Sequence, residues 1–386
     1  MRFSKILKLD WYKRLTKTSL LALLLVTLSL GLSGAWWDVG NNQPARESRL
    51  AGGNAITDAK ALLRYALPID NKPVREVQAS LEDISTQLRG KRWSPISRDI
   101  TKAALILGDR TDQLLADVPE EKRPQAEALI AQMNQGIASI REGVEAQDKE
   151  KVWMERSQLL DQVGELEELM VTEFPFEVPS EYSNLPQLKG RATVEMTTDK
   201  GPLTVVVDGY SAPVTAGNFV DLVQRGFYDG LEITRAEDKF VVQAGDPPGP
   251  DVGFIDPNTG EYRAIPLEVL IKGDDQPMYG ITLEDAGLYL EELALPFSAY
   301  GAIALARPGS DPNGGSSQFF FFKFDNELTP PGYNLMDGRY AVFGYLVEGR
   351  DVLEELKEGD KIKSAKVVQG AENLVQPQVV ADKASE

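Results

Sequence analysis

The chain contains neither cysteine nor histidine. Without cysteine there is no disulfide, no thiol nucleophile, no zinc–thiolate site and no iron–sulfur cluster. Without histidine, Ser-His-Asp and Cys-His catalysis, imidazole acid–base chemistry and histidine-ligated metals are excluded. Chemistry is left to Arg, Lys, Tyr, carboxylates, amides and the shape of a pocket. Positive charge is scarce as well, with 41 basic against 59 acidic residues and a net charge of -18. Arg2, Lys5, Lys8, Lys13, Arg14 and Lys17 against Asp10 give the first seventeen positions +5, so the remainder carries -23. A field of that sign repels phosphate backbones, and nucleic acid is not expected as a partner. Apolar residues at 42% and charged residues at 26% of 386 fit a soluble globular protein of two or three domains.

The basic start precedes an apolar run, Leu20–Leu32, whose length suits a secretory h-region better than a full membrane span. Ser33-Gly34-Ala35 supplies small residues for cleavage near Ala35, so residues 1–37 read as a signal peptide. The alternative is an uncleaved anchor over Ser19–Trp37. No Ser/Arg-rich transit region stands in front, which is the bacterial pattern. The expected destination is an exported compartment. Residues 38–54 are polar and Gly-containing and read as a flexible segment.

Residues 55–172 carry a helical pattern. Leu129, Ile130, Met133, Ile137, Ile140 and Val144 recur at steps of three and four, as do Leu159, Leu160, Val163, Leu166, Leu169 and Met170. Asp58–Leu67, Val74–Leu88 and Ile96–Leu115 fit earlier helices separated by Pro68, Pro73 and Pro95, with Pro119 and Pro124 at the next break. The expectation is an all-α bundle of four or five helices. The alternative for the Leu-rich 159–170 face is an exposed groove or coiled-coil seam, for which it is short. Residues 173–189, with Pro175, Pro179 and Pro186, read as a Pro-rich linker. Beyond it the period drops to two. Ala192-Val194-Met196 and Leu203-Val205-Val207 flank the turn sequence Thr198-Asp199-Lys200-Gly201, and Gln318–Phe324 and Tyr340–Val347 are further strand candidates. Helices are expected near Val214–Arg225 and Arg350–Lys357, and residues 370–386 form a C-terminal tail. No internal repeat is evident.

Several segments of this β-rich half, in order, are those of a known family. They are Ala212-Pro213-Val214-Thr215-Ala216-Gly217-Asn218-Phe219, then Gly226-Phe227-Tyr228-Asp229-Gly230, then Ile233-Thr234-Arg235 with Phe240-Val241-Val242-Gln243-Ala244-Gly245-Asp246. Gly301-Ala302-Ile303-Ala304-Leu305-Ala306-Arg307, Ser316-Ser317-Gln318-Phe319-Phe320 and Asp337-Gly338-Arg339-Tyr340-Ala341-Val342-Phe343-Gly344 follow. Residues 190–369 thereby resemble the cyclophilins, peptidyl-prolyl cis–trans isomerases built on a closed eight-stranded β-barrel with two capping helices. The reaction suits a chain without His or Cys. The barrier to rotation is roughly 18–20 kcal/mol of amide resonance, and lowering it needs no nucleophile, acid or base.

The resemblance implies roles. Arg235 is the catalytic residue, donating toward the prolyl nitrogen as its lone pair localises. Gln243 bonds a substrate carbonyl, Phe240, Val241 and Phe320 line the proline pocket, Ala306 and Arg307 align the peptide, and Gln318 supports the wall. Read without the family, Arg235 beside Glu237 and Asp238 is a surface ion pair. Leu335 stands where the family usually has Trp, Tyr340 where it has a pocket His, Thr234 where a His precedes the catalytic Arg, and Val241 where it has Met. These departures imply a reshaped pocket, weak cyclosporin binding and low activity. No cofactor or metal is expected; Asp256-x-Asn258-x-Gly260 has calcium-like spacing but no distal ligands, and reads as a turn.

Between Pro250 and Tyr300 lies an enlarged acidic excursion carrying Glu284, Asp285, Glu291 and Glu292, which reads as a solvated loop, with a cover over the groove or a partner surface as the alternatives. A signal, a helical domain and a divergent cyclophilin domain together resemble the large thylakoid-lumen cyclophilins of plants and cyanobacteria. In that group the helical part looks like extrinsic lumenal subunits of photosystem II, and the proteins assist photosystem II assembly. The implied clients are proline-containing polypeptides, photosystem II subunits among them, with peripheral association to a membrane complex, in the thylakoid lumen or the periplasm. The competing reading is a catalytically weak docking module whose bundle binds the partner. A third is a bundle that masks the cyclophilin groove.

Overall fold

In the helical half, short polar side chains start the helices and apolar stripes hold them together. The computed structural model describes residues 56–257, 259–323 and 334–377. The expected signal peptide, the flexible segment 38–54 and the tail from 378 onward lie outside the described residues. Helix α1 (Ala59–Ala66) begins where Asp58 accepts from Ala61 N, and α2 (Lys72–Arg89) where Asn71 accepts from Val74 N. Helix α3 (Trp93–Asp109) ends at Arg110 and is followed by the single turn α4 (Thr111–Leu114). The one helix expected over Ile96–Leu115 is therefore two. Helix α5 (Arg123–Glu145) carries Pro124 in its first turn, and α6 (Lys149–Met170) starts at Asp148, which accepts from Glu150 N and Lys151 N.

α2, α3, α5 and α6 pack around one core. Leu159, Leu160, Val163, Leu166 and Met170 of α6 are buried against Val74, Leu81, Ile100, Met133 and Ile140. The 159–170 face is core, not an exposed seam; each such side chain contributes roughly 1.5–3 kcal/mol on burial. Helix α1 behaves differently. Its Lys60 and Arg64 reach the bundle at Asp161 (3.0 Å) and Glu82 (3.1 Å). Its Leu62 and Leu63 instead join an apolar cluster of the second half.

The β-rich half starts with β1 (Gln187–Leu188), β2 (Arg191–Thr198) and β3 (Pro202–Asp208), followed by α7 (Pro213–Gln224). Then come β4 (Arg235–Ala236), β5 (Val241–Ala244), β6 (Glu268–Val269), β7 (Met278–Tyr279), β8 (Ala302–Leu305) and β9 (Phe319–Phe322). The last are β10 (Val342–Glu348), α8 (Arg350–Glu355), β11 (Ile362–Gln369) and β12 (Leu374–Val375). Eight strands form one antiparallel sheet in the order β11-β2-β3-β10-β8-β9-β5-β4.

The eight strands form a curled sheet whose end strands β4 and β11 share no ladder of their own. β4 is too short for one. What stands between the edges is a single bridge, Glu232 with Lys361, and backbone hydrogen bonds such as Ile362 N to Leu231 O (2.9 Å) and Ile233 N to Asp360 O (2.7 Å).

Because side chains alternate along a strand, the sheet separates two apolar sets. Val194, Val205, Val242, Phe319, Phe321 and Phe343 face inward with Phe219 of α7. Val241, Phe320, Phe322, Val342 and Tyr345 face outward with Leu62 and Leu63 of α1 and Phe297. The excursion between residues 250 and 300 is not a solvated loop throughout. Leu267, Val269, Ile271, Leu283 and Leu293 make a small core with Ala341. Its Glu268 accepts from Val214 N (3.2 Å) and Thr215 N (2.9 Å), capping α7 from outside that helix. Residues 173–189 carry β1, which pairs with β12 near the C-terminus.

Candidate active site

Strand register places the key residues in one transverse row. Arg235 pairs with Gln243, Gln243 with Phe320, Phe320 with Ala304, and Ala304 with Val342. Paired residues direct their side chains to the same face, so an arginine, an amide and an aromatic ring stand side by side on the outer surface. Phe322 is the neighbour of Val241 in the next row, and Phe240 packs edge-on against it with centroids 5.9 Å apart. Gly245 is required below the row. Its φ of +93° is a left-handed conformation, and a Cβ there would run into the backbone of Ser317 and Gln318.

Hydrogen bonds orient the amides. Gln318 Nε2 donates to Asp246 Oδ1 (2.8 Å) and Val252 O (2.9 Å), while its Oε1 accepts from Gln243 Nε2 (2.8 Å). Gln243 is thus turned toward Gln318, not toward Arg235. The Arg235 guanidinium lies 5.6 Å from the centroid of the Phe240 ring, and Glu237 holds it at 2.6 Å. The ion pair therefore forms while Arg235 keeps its place in the row beside Gln243.

Phe320, only 4% exposed, is boxed by aromatic rings. Phe297 stacks parallel to it, and Tyr340 meets it edge-on at 5.3 Å. The Arg307 guanidinium sits 5.2 Å from the Tyr340 centroid and donates twice to the Arg339 carbonyl (2.9 and 2.6 Å). Ala306 spends its N–H on Gln318 O (2.9 Å), whereas among the described residues no backbone–backbone hydrogen bond uses Arg307. Leu335 is not brought into this group: it is 76% exposed and stands in solvent. Asp256 gives its carboxylate to Arg263 (3.2 Å), as a structural turn does.

The motifs did not point to Phe297, which lies in the excursion with nothing in the sequence to mark it. Its backbone N–H donates to Asp337 Oδ1 (2.7 Å), and burial pushes the Asp337 carboxyl up to about 6 against the pull of that bond. Chemically, the row offers a cation with a flanking amide and an apolar floor. Such a set can bind and polarise a peptide bond but can neither attack nor deprotonate it.

Comparison with known proteins agrees. Residues 193–376 match the model of cyclophilin type peptidyl-prolyl cis-trans isomerases, and residues 58–171 match that of the PsbQ-like domain of CYP38-like isomerases. A putative thylakoid lumen peptidyl-prolyl cis-trans isomerase of Synechocystis is 63% identical over 94% of this chain and 96% of its own length. The chloroplastic isomerases CYP38 and CYP37 of Arabidopsis thaliana are 46% identical over 86% of this chain and 78% of theirs, and 33% identical over 82% and 70%. With a relative this similar over nearly its whole length, the chain belongs to the cyclophilin-type peptidyl-prolyl cis-trans isomerases, in the group that carries a PsbQ-like helical domain ahead of the cyclophilin domain.

Proposed function

We propose that the protein isomerises X-Pro bonds in exported polypeptides of the thylakoid lumen or periplasm, photosystem II subunits among them. The observation that carries this reading is the row Arg235–Gln243–Phe320 on one face of the sheet. In the ground state the amide is planar and its nitrogen accepts no hydrogen bond. As the bond twists, the lone pair localises on the prolyl nitrogen, and the Arg235 guanidinium donates to it there. A bond made only in the transition state lowers the barrier without tightening substrate binding. Gln243 holds the substrate carbonyl, Phe240, Val241 and Phe320 seat the proline ring, and the free backbone of Arg307 beside Ala306 aligns the peptide. Gln318 keeps Gln243 in place, and Tyr340 closes the side where the family has a histidine. In this reading the curled sheet functions as the family's closed barrel, residues 1–37 are removed near Ala35, and the helical domain associates with a membrane complex. The name of the Synechocystis relative supports the lumen; among the described residues no helix is long and apolar enough to cross a membrane.

A coupled prolyl-isomerisation assay on the full chain and its Arg235→Ala variant tests the catalytic role. We expect a loss of at least tenfold in kcat/KM on substitution; equal rates would overturn it. A second reading, in which the cyclophilin part is a weakly active docking module masked by its neighbour, is favoured by the shared cluster of Leu62 and Leu63 with Val241 and Phe320. Equal activity of the full chain and of residues 190–386 would count against masking.

A further inference from the structure

We propose that Glu237 is a positioning residue that holds Arg235 in a resting pose, from which the guanidinium must be released before it can stabilise the twisted amide. This rests on the catalytic role of Arg235 set out above. Residues two apart on an extended strand direct their side chains to the same side, so the spacing itself brings Glu237 to Arg235 and sends Asp238 away.

Glu237 Oε1 accepts a hydrogen bond from Arg235 Nε at 2.6 Å and forms an ion pair with Nη2, also at 2.6 Å. In this proposal the same edge of the guanidinium serves the prolyl nitrogen, and the carboxylate offsets its charge in the resting pose. The ring of Phe240 lies against the guanidinium at 5.6 Å, so the held cation stays beside the proline pocket. The alternative partner is already in the row. Gln243 faces Arg235 across the ladder, and its amide nitrogen is engaged by Gln318. Among the described residues no hydrogen bond reaches Gln243 Oε1, so it can take the arginine once Glu237 lets go. Both side chains of the ion pair are about half exposed, at 48% and 49%, so the pair is weak and salt-sensitive. A weak pair suits a hold that opens each turnover. It persists in the bound ground state and is broken only as the amide twists, so its cost falls on kcat and not on KM.

The test compares the full chain with its Glu237→Gln, Arg235→Ala and doubly substituted variants in the coupled assay, with a proline-containing tetrapeptide as probe, at low and high sodium chloride. We expect Glu237→Gln to raise kcat about two- to fivefold, the range an exposed pair supplies, with KM unchanged. Wild type should gain rate with salt and approach the variant, the variant should be flat, and the double variant should match Arg235→Ala. A wild type without measurable rate beside an active Glu237→Gln is the same result in extreme form. If Arg235→Ala loses activity while Glu237→Gln is unchanged or slower, this inference is overturned and the isomerase reading stands. If Arg235→Ala equals wild type, or no variant has a rate, both fall together.

Discussion

Phe297 and Phe320 lie stacked, with ring centroids 6.0 Å apart and planes within 4° of parallel. Phe297 is fully buried and touches Phe322 edge-on as well, at 5.2 Å. Beneath the proposed proline pocket there is therefore a double aromatic layer, its lower leaf supplied by the acidic excursion and pinned by Asp337. Phe297→Ala should cost about 3–5 kcal/mol of stability through the cavity it leaves, measured by urea unfolding. Phe297→Leu keeps most of the volume; it should fold, but let Phe320 tilt and raise KM for a prolyl peptide with kcat little changed. An unaltered KM would mean that Phe320 needs no support from below.

Burial pushes the Glu167 and Glu268 carboxyls up to about 7, only partly offset by Arg75 for the first and by the N–H groups of Thr215 and Val214 for the second. Their folded values lie above the ordinary 4.5, so the native state binds more protons than the unfolded chain in between. Their contribution to stability is complete below about pH 4.5 and is lost as pH rises through 7. The melting temperature should therefore increase on acidification from pH 8 to 5.5. Glu167→Gln and Glu268→Gln should each flatten that slope; a wild-type slope of opposite sign would refute the assignment.

Arg191 ties three elements together. It bonds Asp208 Oδ2 (2.7 Å) at the end of β3, Glu168 Oε1 (3.3 Å) on α6 and the carbonyl of Leu63 on α1. Asp208 is completely buried, so Arg191→Met leaves a buried charge without its partner, a loss of about 3–5 kcal/mol. Adding Asp208→Asn should recover part of it in the same denaturation series. Additive losses would show that the two side chains act independently.

Leu335 is solvent-exposed, so a larger residue can be placed there without disturbing any packed core. Leu335→Trp, which restores the side chain usual in the family, should strengthen cyclosporin binding in a calorimetric titration while leaving the melting temperature within about a degree. Unchanged affinity would assign the departure to Tyr340 and Val241 instead.

The helical periodicity of residues 123–145 and 149–170 was legible because one apolar face recurs for many turns. Helix α1 has the same stripe, but a stripe does not name the core it joins, and Leu62 and Leu63 went to the sheet. The break at Arg110 is marked only by the weak helix formers Gly108 and Asp109, while the apolar pattern runs on through it to Leu114 and Leu115. The row Arg235, Gln243 and Phe320 was legible through motifs, whereas the ion pair was legible only as Arg235 beside Glu237 and Asp238, with the choice of Glu237 left to the fold. Phe297 was not, since stacking on Phe320 depends on how the excursion folds back. The two-residue length of β4 was not legible either, and the edges meet through residues 230–233 just ahead of it.

The pairing of Gln187 with Val375 and of Leu188 with Leu374 joins chain positions almost two hundred residues apart. β2 waits similarly for β11, about 170 residues further along the chain. Contacts of such long sequence separation make folding slow, because the whole intervening loop must be closed before they are rewarded. The helical domain closes over shorter separations, the longest being about a hundred residues between Lys60 and Asp161. A nascent chain would therefore carry a finished bundle ahead of an unfinished sheet, whose open strand edges are vulnerable to aggregation until the final residues arrive.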